Sequence, residues 1–166
     1  MKYYIAYGSN LNMEQMLQRC PGAVVIGKTW LEGYRLTFRG STSYTRAGVA
    51  NIEPRAGSRV PVGIWRITEK HERSLDRYEG FPYLYYKQEF SLVVDGNRIT
   101  AMAYIMTPGR PWAPPIEPYL RTIRKGYQDF DITSDRNLIY AAGHPVKEVS
   151  KYAASDHPIF QPRPVR

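Results

Sequence analysis

The chain has one cysteine, Cys20, and three histidines, His71, His144 and His157, among 166 residues. A lone cysteine excludes an intrachain disulfide and a cysteine-based zinc cluster. The histidines stand far apart in unlike contexts, with no H-x-x-x-H pair, so the expectation is no metal site. Long apolar runs are also missing: nothing approaches the roughly 20 residues that a membrane-spanning helix needs. Met1-Lys2-Tyr3-Tyr4 passes straight into a strand-like segment without a signal-peptide core, which points to a cytoplasmic protein with no membrane partner.

Acidic residues are in deficit. There are 15 Asp and Glu against 23 Lys and Arg, a formal net charge of +8. Clustered cations would suggest nucleic acid, because they neutralise phosphates and release counterions. Here they are scattered, from Arg35, Arg39, Arg46, Arg55 and Arg59 to Arg121, Arg124 and Lys125, with no helix-turn-helix, RNP-like aromatic motif or contiguous basic tract. The favoured reading is a solvated basic surface that attracts small anions, and nucleic acid is not the expected partner.

Tyrosine is abundant, with 14 copies, so many rings must line a core edge or a pocket. A chain of this size buries about two thirds of its unfolded surface, enough for one core. Residues 1–150 read as a single domain, and 151–166, carrying Pro158, Pro162 and Pro164, as an extended or disordered tail.

Along that domain, Tyr3 to Tyr7 alternates as an opening strand and Gly8-Ser9-Asn10 breaks it. Asn12 is placed to cap a short helix bearing Met13, Met16, Leu17 and Cys20 at helical spacing. Four strands are predicted over 23–26, 30–38, 49–53 and 60–68, separated by Gly, Ser and Pro. Thr68 caps a second helix over 69–78, stopped at Gly80 and Pro82. Asp95-Gly96-Asn97 marks a hairpin between 83–94 and 98–107. The proline-rich stretch 108–118 is a rigid loop, a candidate lid in which Trp112 is a pocket candidate. A helix from Pro118 carries Tyr119, Ile123 and Tyr127 on one face, and a last helix from Thr133 or Ser134 includes Leu138 and Ile139.

Two segments suggest chemistry. Tyr7-Gly8-Ser9-Asn10-Leu11 lies between a strand and a helix start, where a glycine permits close approach and unpaired N–H groups attract an anion such as a carboxylate; a plain turn is the competing reading. Ser9 lacks the flanking glycines of a nucleophile elbow. In Leu75-Asp76-Arg77-Tyr78-Glu79-Gly80, Glu79 shares the face that Leu75 buries. Burial and the negative end of the helix dipole both raise the proton affinity of such a carboxylate, towards what a general acid/base needs. An exposed Glu on a frayed last turn stands level with this on spacing alone.

These segments, in this order, resemble the γ-glutamyl cyclotransferase family, including the related plant avirulence-induced proteins. The resemblance rests on Tyr4 to Leu11, Trp65 to Thr68, Leu75 to Gly80 with a tyrosine soon after, and a Pro-Pro segment leading to Tyr119 and Gly126. It implies an α+β fold, a small mixed β-barrel with flanking short helices. It implies that Tyr7, Gly8, Ser9, Asn10 and Leu11 bind the substrate's α-carboxylate, that Glu79 is the catalytic acid/base, and that Tyr119 lies near the substrate with either Tyr85 or Tyr86. The family motif often continues into a G-A pair and G-L-P, whereas here Gly126-Tyr127 runs into Asp129 to Asp131. The expected partner is a small-molecule γ-glutamyl substrate, without metal or organic cofactor, in a monomer or a homodimer. The competing class is a non-catalytic module that binds small anions or nucleic acid.

Overall fold

The computed structural model describes residues 1–40 and 47–146, so the expected tail 151–166 lies outside the described residues. A five-stranded mixed sheet carries four α-helices. The strands are β1 (Lys2–Ala6), β2 (Val24–Gly40), β3 (Gly48–Ile67), β4 (Tyr85–Val94) and β5 (Asn97–Met106). The helices are α1 (Met13–Arg19), α2 (Glu69–Glu79), α3 (Glu117–Asp129) and α4 (Arg136–Gly143), and a 3₁₀ turn covers Ser9–Leu11. The sheet order is β2-β3-β1-β5-β4, with only the β1–β5 pair parallel.

The α+β class holds, but the sheet is not a closed barrel. Its backbone ladder ends at β2 and β4, and these edges curl together through side chains. The Thr29 hydroxyl donates to the Val93 carbonyl at 2.8 Å, and Tyr34 meets Phe90 edge-on at 5.3 Å. Twist brings the edges close.

The four strands expected between 23 and 68 are two long ones. Glycine and proline there bend the ribbon without ending it: Gly33 alone stands opposite residues 55–58, because Glu32 pairs with Arg59 and Tyr34 with Pro54. A bulge of this kind accommodates extra residues while the ladder resumes in register.

β1 is central, which explains why Tyr4, Ile5 and Ala6 are all buried rather than alternating. The helices follow local rules. Asn12 caps α1 by accepting from the Gln15 amide at 3.1 Å. Thr68 caps α2 with His71 completing a reciprocal box, and Gly80 closes that helix in the left-handed conformation. Leu75 is fully buried, so α2 is held to the sheet by the face that also carries Glu79. Asp95 and Gly96 both take positive φ, as a two-residue hairpin turn requires.

The contact between α3 and the N-terminal turn depends on Gly126. A Cβ there would lie 2.5 Å from the Cβ of Leu11 and 2.6 Å from the Asn12 nitrogen, so any side chain would push the helix off the turn. The 108–118 loop is tied down. Pro111 and Pro114 carbonyls accept from the Gly40 and Gly48 amides, each at 2.9 Å, so this segment bridges the ends of β2 and β3. α4 begins two to three residues later than expected; Leu138 is buried in the core and Ile139 is exposed.

Candidate active site

At the end of β1 the chain leaves the sheet as Tyr7-Gly8 and enters the 3₁₀ turn, whose leading N–H groups have no preceding helical carbonyl. Beside it stand the last residue of α2, Glu79, the first residue of β4, Tyr85, and the first turn of α3, Tyr119. Together they enclose a cavity of about 190 Å³ lined also by Tyr4, Val49, Ala50, Tyr78, Leu84 and Tyr104.

Of the residues singled out in the sequence, Tyr7, Gly8, Ser9, Asn10, Glu79, Tyr85 and Tyr119 line this cavity. Leu11 does not: it is fully buried in the core against Gly126 and Phe130's neighbourhood at Gly63, where its side chain fixes the turn from behind. Tyr86 does not either. Successive strand residues point to opposite faces, so with Tyr85 turned to the cavity Tyr86 is carried away from it. Trp112 is also elsewhere, bridging to Arg39 and donating its indole N–H to the Ala141 carbonyl at 3.4 Å.

Glu79 retains some solvent contact as a residue, while its carboxylate is surrounded by protein. Burial pushes its pKa from the usual 4.5 up to about 7, with the Arg19 guanidinium pulling the other way. Asn10 holds it in place: the amide nitrogen donates to Glu79 Oε1 at 3.2 Å and to the Tyr4 hydroxyl at 2.9 Å. Arg19 sets the orientation of that amide by donating to Asn10 Oδ1 at 2.7 Å, and its guanidinium lies 3.7 Å above the Tyr78 ring. Trp65 fixes the backbone of the same residue, its indole N–H donating to the Asn10 carbonyl at 3.0 Å.

The tyrosines form a neutral wall. Burial raises the pKa of Tyr4, Tyr7, Tyr85, Tyr104 and Tyr119, so they remain protonated hydroxyls at neutral pH. Tyr85 donates to the Ala50 carbonyl at 2.7 Å and Tyr119 accepts from the Ala50 amide at 3.0 Å, which clamps the start of β3 against the cavity. Ser9 pairs with the Tyr78 hydroxyl at 3.0 Å. Asp76, one turn before Glu79, faces away from the cavity, accepting from the Tyr104 hydroxyl at 2.6 Å and from Lys87 at 2.9 Å. Glu79 is therefore the one cavity-lining carboxylate among the described residues, and it titrates near neutrality.

Arg19, Tyr4 and Tyr104 were not singled out from the sequence as site residues. Tyr4 lies in the matched Y-I-A-Y segment, which is a signal; Arg19 acts on Glu79 through its charge and through Asn10, and leaves none.

Residues 4–126 match the family model described as gamma-glutamyl cyclotransferase, AIG2-like. The gamma-glutamylcyclotransferase of Homo sapiens is 33% identical over 132 residues, covering 76% of this chain and 70% of the relative. A solved structure titled gamma-glutamyl cyclotransferase superposes with a TM-score of 0.77 at 28% identity, over 93% of this chain and 94% of that one. YkqA from Bacillus subtilis shares the fold at 17% identity and a TM-score of 0.69, over 89% of this chain and 56% of that one. With the family model spanning most of the chain, and the human relative matched over more than two thirds of its length, the chain belongs to the gamma-glutamyl cyclotransferase, AIG2-like family.

Proposed function

We propose that the tyrosine-walled cavity is the active centre of a γ-glutamyl cyclotransferase in which Glu79 moves the proton. Family membership supports the activity. The mechanism rests on one observation: a carboxylate enclosed by protein, with a pKa of about 7, hydrogen-bonded to Asn10 beside the Gly8 turn.

In a γ-glutamyl amide the α-amine reaches the side-chain carbonyl of the same molecule, so attack closes a five-membered lactam without an enzyme nucleophile. Glu79 takes a proton from the α-ammonium; the α-nitrogen bonds to the γ-carbon, and the bond from that carbon to the departing nitrogen breaks. The same carboxyl returns that proton to the departing nitrogen; the ring nitrogen gives up its second proton as the lactam forms, and the freed amine takes it up to leave as an ammonium, giving 5-oxoproline and an amine or amino acid. A pKa near neutrality suits a group that must accept and donate in one cycle. The backbone N–H groups at Gly8 to Asn10 hold the α-carboxylate, and neutral tyrosine hydroxyls line the rest of the substrate's path. None of these steps calls for a metal or an organic cofactor.

A non-catalytic anion or nucleic-acid module would have no use for a carboxylate buried beside its anion site, whereas cyclisation needs one to take the α-ammonium proton. Incubation of the chain with a panel of γ-glutamyl dipeptides and γ-glutamylamines, followed by mass spectrometry for 5-oxoproline, separates the two. Turnover of at least one member is the expected result, and silence across the panel would favour the module.

A further inference from the structure

A second cavity, about 540 Å³, opens between α4 and the β2–β3 ribbon and shares no lining residue with the first. Four arginines line it, Arg35, Arg55, Arg59 and Arg136, together with His144, and no Asp or Glu lines it among the described residues. Part of that charge is answered nearby: Glu53 reaches Arg35 at 3.4 Å, and Glu32 reaches Arg59 at 3.8 Å between exposed side chains. Arg55 and Arg136 make no ion pair among the described residues.

The wall behind them is also unbalanced. Arg35 Nε and the Thr37 hydroxyl lie just beneath the cavity surface without a hydrogen-bond partner among the described residues, and Thr37 is only 1% exposed. Buried donors are nearly always satisfied, and the described residues supply these two with no acceptor. A concave site with cations of one sign concentrates its field on the space inside. Guanidinium forks match phosphate and carboxylate oxygens alike, and a phosphate carries the larger negative charge to set against several arginines at once. Strand alternation places Arg35 and Thr37 on the face opposite Phe38, whose ring meets Tyr119 of the first site, so the ribbon separates the two cavities.

We propose that this second cavity binds a phosphorylated small molecule, with Arg55 and Arg136 contacting the phosphate and Arg35 supporting it from the wall. The shared chemistry is a multiply charged phosphate, either free or esterified to a planar group that Trp30 or Tyr140 would flank. The site is independent of Glu79 and of the proposed reaction.

Calorimetric titration of the full chain with pyrophosphate, and separately with ADP, tests this. Saturable 1:1 binding is expected. Tighter binding of ADP than of pyrophosphate would support an organic phosphate, and equal binding a phosphate group alone. Arg55→Ala and Arg136→Ala should each weaken binding by about tenfold, the usual worth of a charged hydrogen bond, while Glu79→Gln binds like the parent. Both arginines are exposed, so their variants should melt with the parent when no ligand is present, which checks the fold. An absence of saturable binding, or folded arginine variants that bind as tightly as the parent, would overturn the proposal. So would loss of binding in Glu79→Gln.

Discussion

The Asn10 amide nitrogen donates to the Glu79 carboxylate at 3.2 Å, across 69 residues of sequence, and this contact joins the Gly8 turn to the carboxyl whose pKa burial raises to about 7. Arg19 stands behind it, bonded to Asn10 Oδ1 and lowering the proton affinity of Glu79 through its charge.

Arg19→Met should move the pH profile. Removing the cation raises the Glu79 pKa above about 7, so less of the enzyme carries the ionised base at neutral pH. The acid limb of kcat/KM should shift to higher pH, with activity recovering in alkaline buffer, and Arg19→Lys should restore part of the shift. An unmoved limb would show that Arg19 only packs against Tyr78.

Stability should depend on pH through the same group. The folded-state pKa is raised, from 4.5 to about 7, so its contribution to stability is fully present below 4.5 and is lost as pH rises through about 7. That shift corresponds to about 3 kcal/mol as an order of magnitude. Denaturant unfolding at pH 8 should therefore find Glu79→Gln more stable than the parent, with the difference shrinking towards pH 4. A variant less stable than the parent at pH 8 would mean that the ionised carboxylate is well solvated.

Gly8→Val should damage substrate binding more than folding. A Cβ at Gly8 would stand 3.1 Å from the Ala50 Cβ and 3.5 Å from the Tyr119 hydroxyl, and a branched side chain would project further into that gap. KM should rise, with only the modest fall in melting temperature that the close contact with buried Ala50 would cause. Unchanged KM would reduce the turn to a connection.

Asp76→Asn should leave chemistry within a few-fold of the parent while destabilising the fold by about 1–3 kcal/mol, because it weakens a buried contact to Tyr104 and an ion pair to Lys87. Thermal unfolding and kcat measured together distinguish this from a catalytic role.

How much of this was legible in the sequence depended on whether local chemistry decided the matter. Caps and turns did: Asn12, Thr68, Gly80 and Asp95-Gly96 act where composition placed them. The α+β class and most of the cavity, from Tyr7 to Asn10 with Glu79 and Tyr119, followed from two short segments and a resemblance. The choice between Tyr85 and Tyr86 needed the phase of β4, which alternation alone does not supply. Leu11 belongs to the core because Gly126 lets α3 approach it, a contact between distant segments. Four strands became two because the ribbon absorbs its glycines and prolines as bulges. Arg19 reaches Glu79 by its charge from a different helix and orients Asn10, so nothing in its own surroundings in the sequence marked it.

Single-turnover kinetics of Glu79→Gln on whichever γ-glutamyl compound the parent cleaves test the central claim most directly. The substitution keeps the size of the side chain and an oxygen to accept from Asn10, and removes the ability to take the α-ammonium proton. The account predicts a chemical step slowed by about 10²- to 10⁴-fold, with substrate affinity nearly unchanged because the α-carboxylate is held at the Gly8 turn. A folded Glu79→Gln enzyme that formed 5-oxoproline within a few-fold of the parental rate would contradict it.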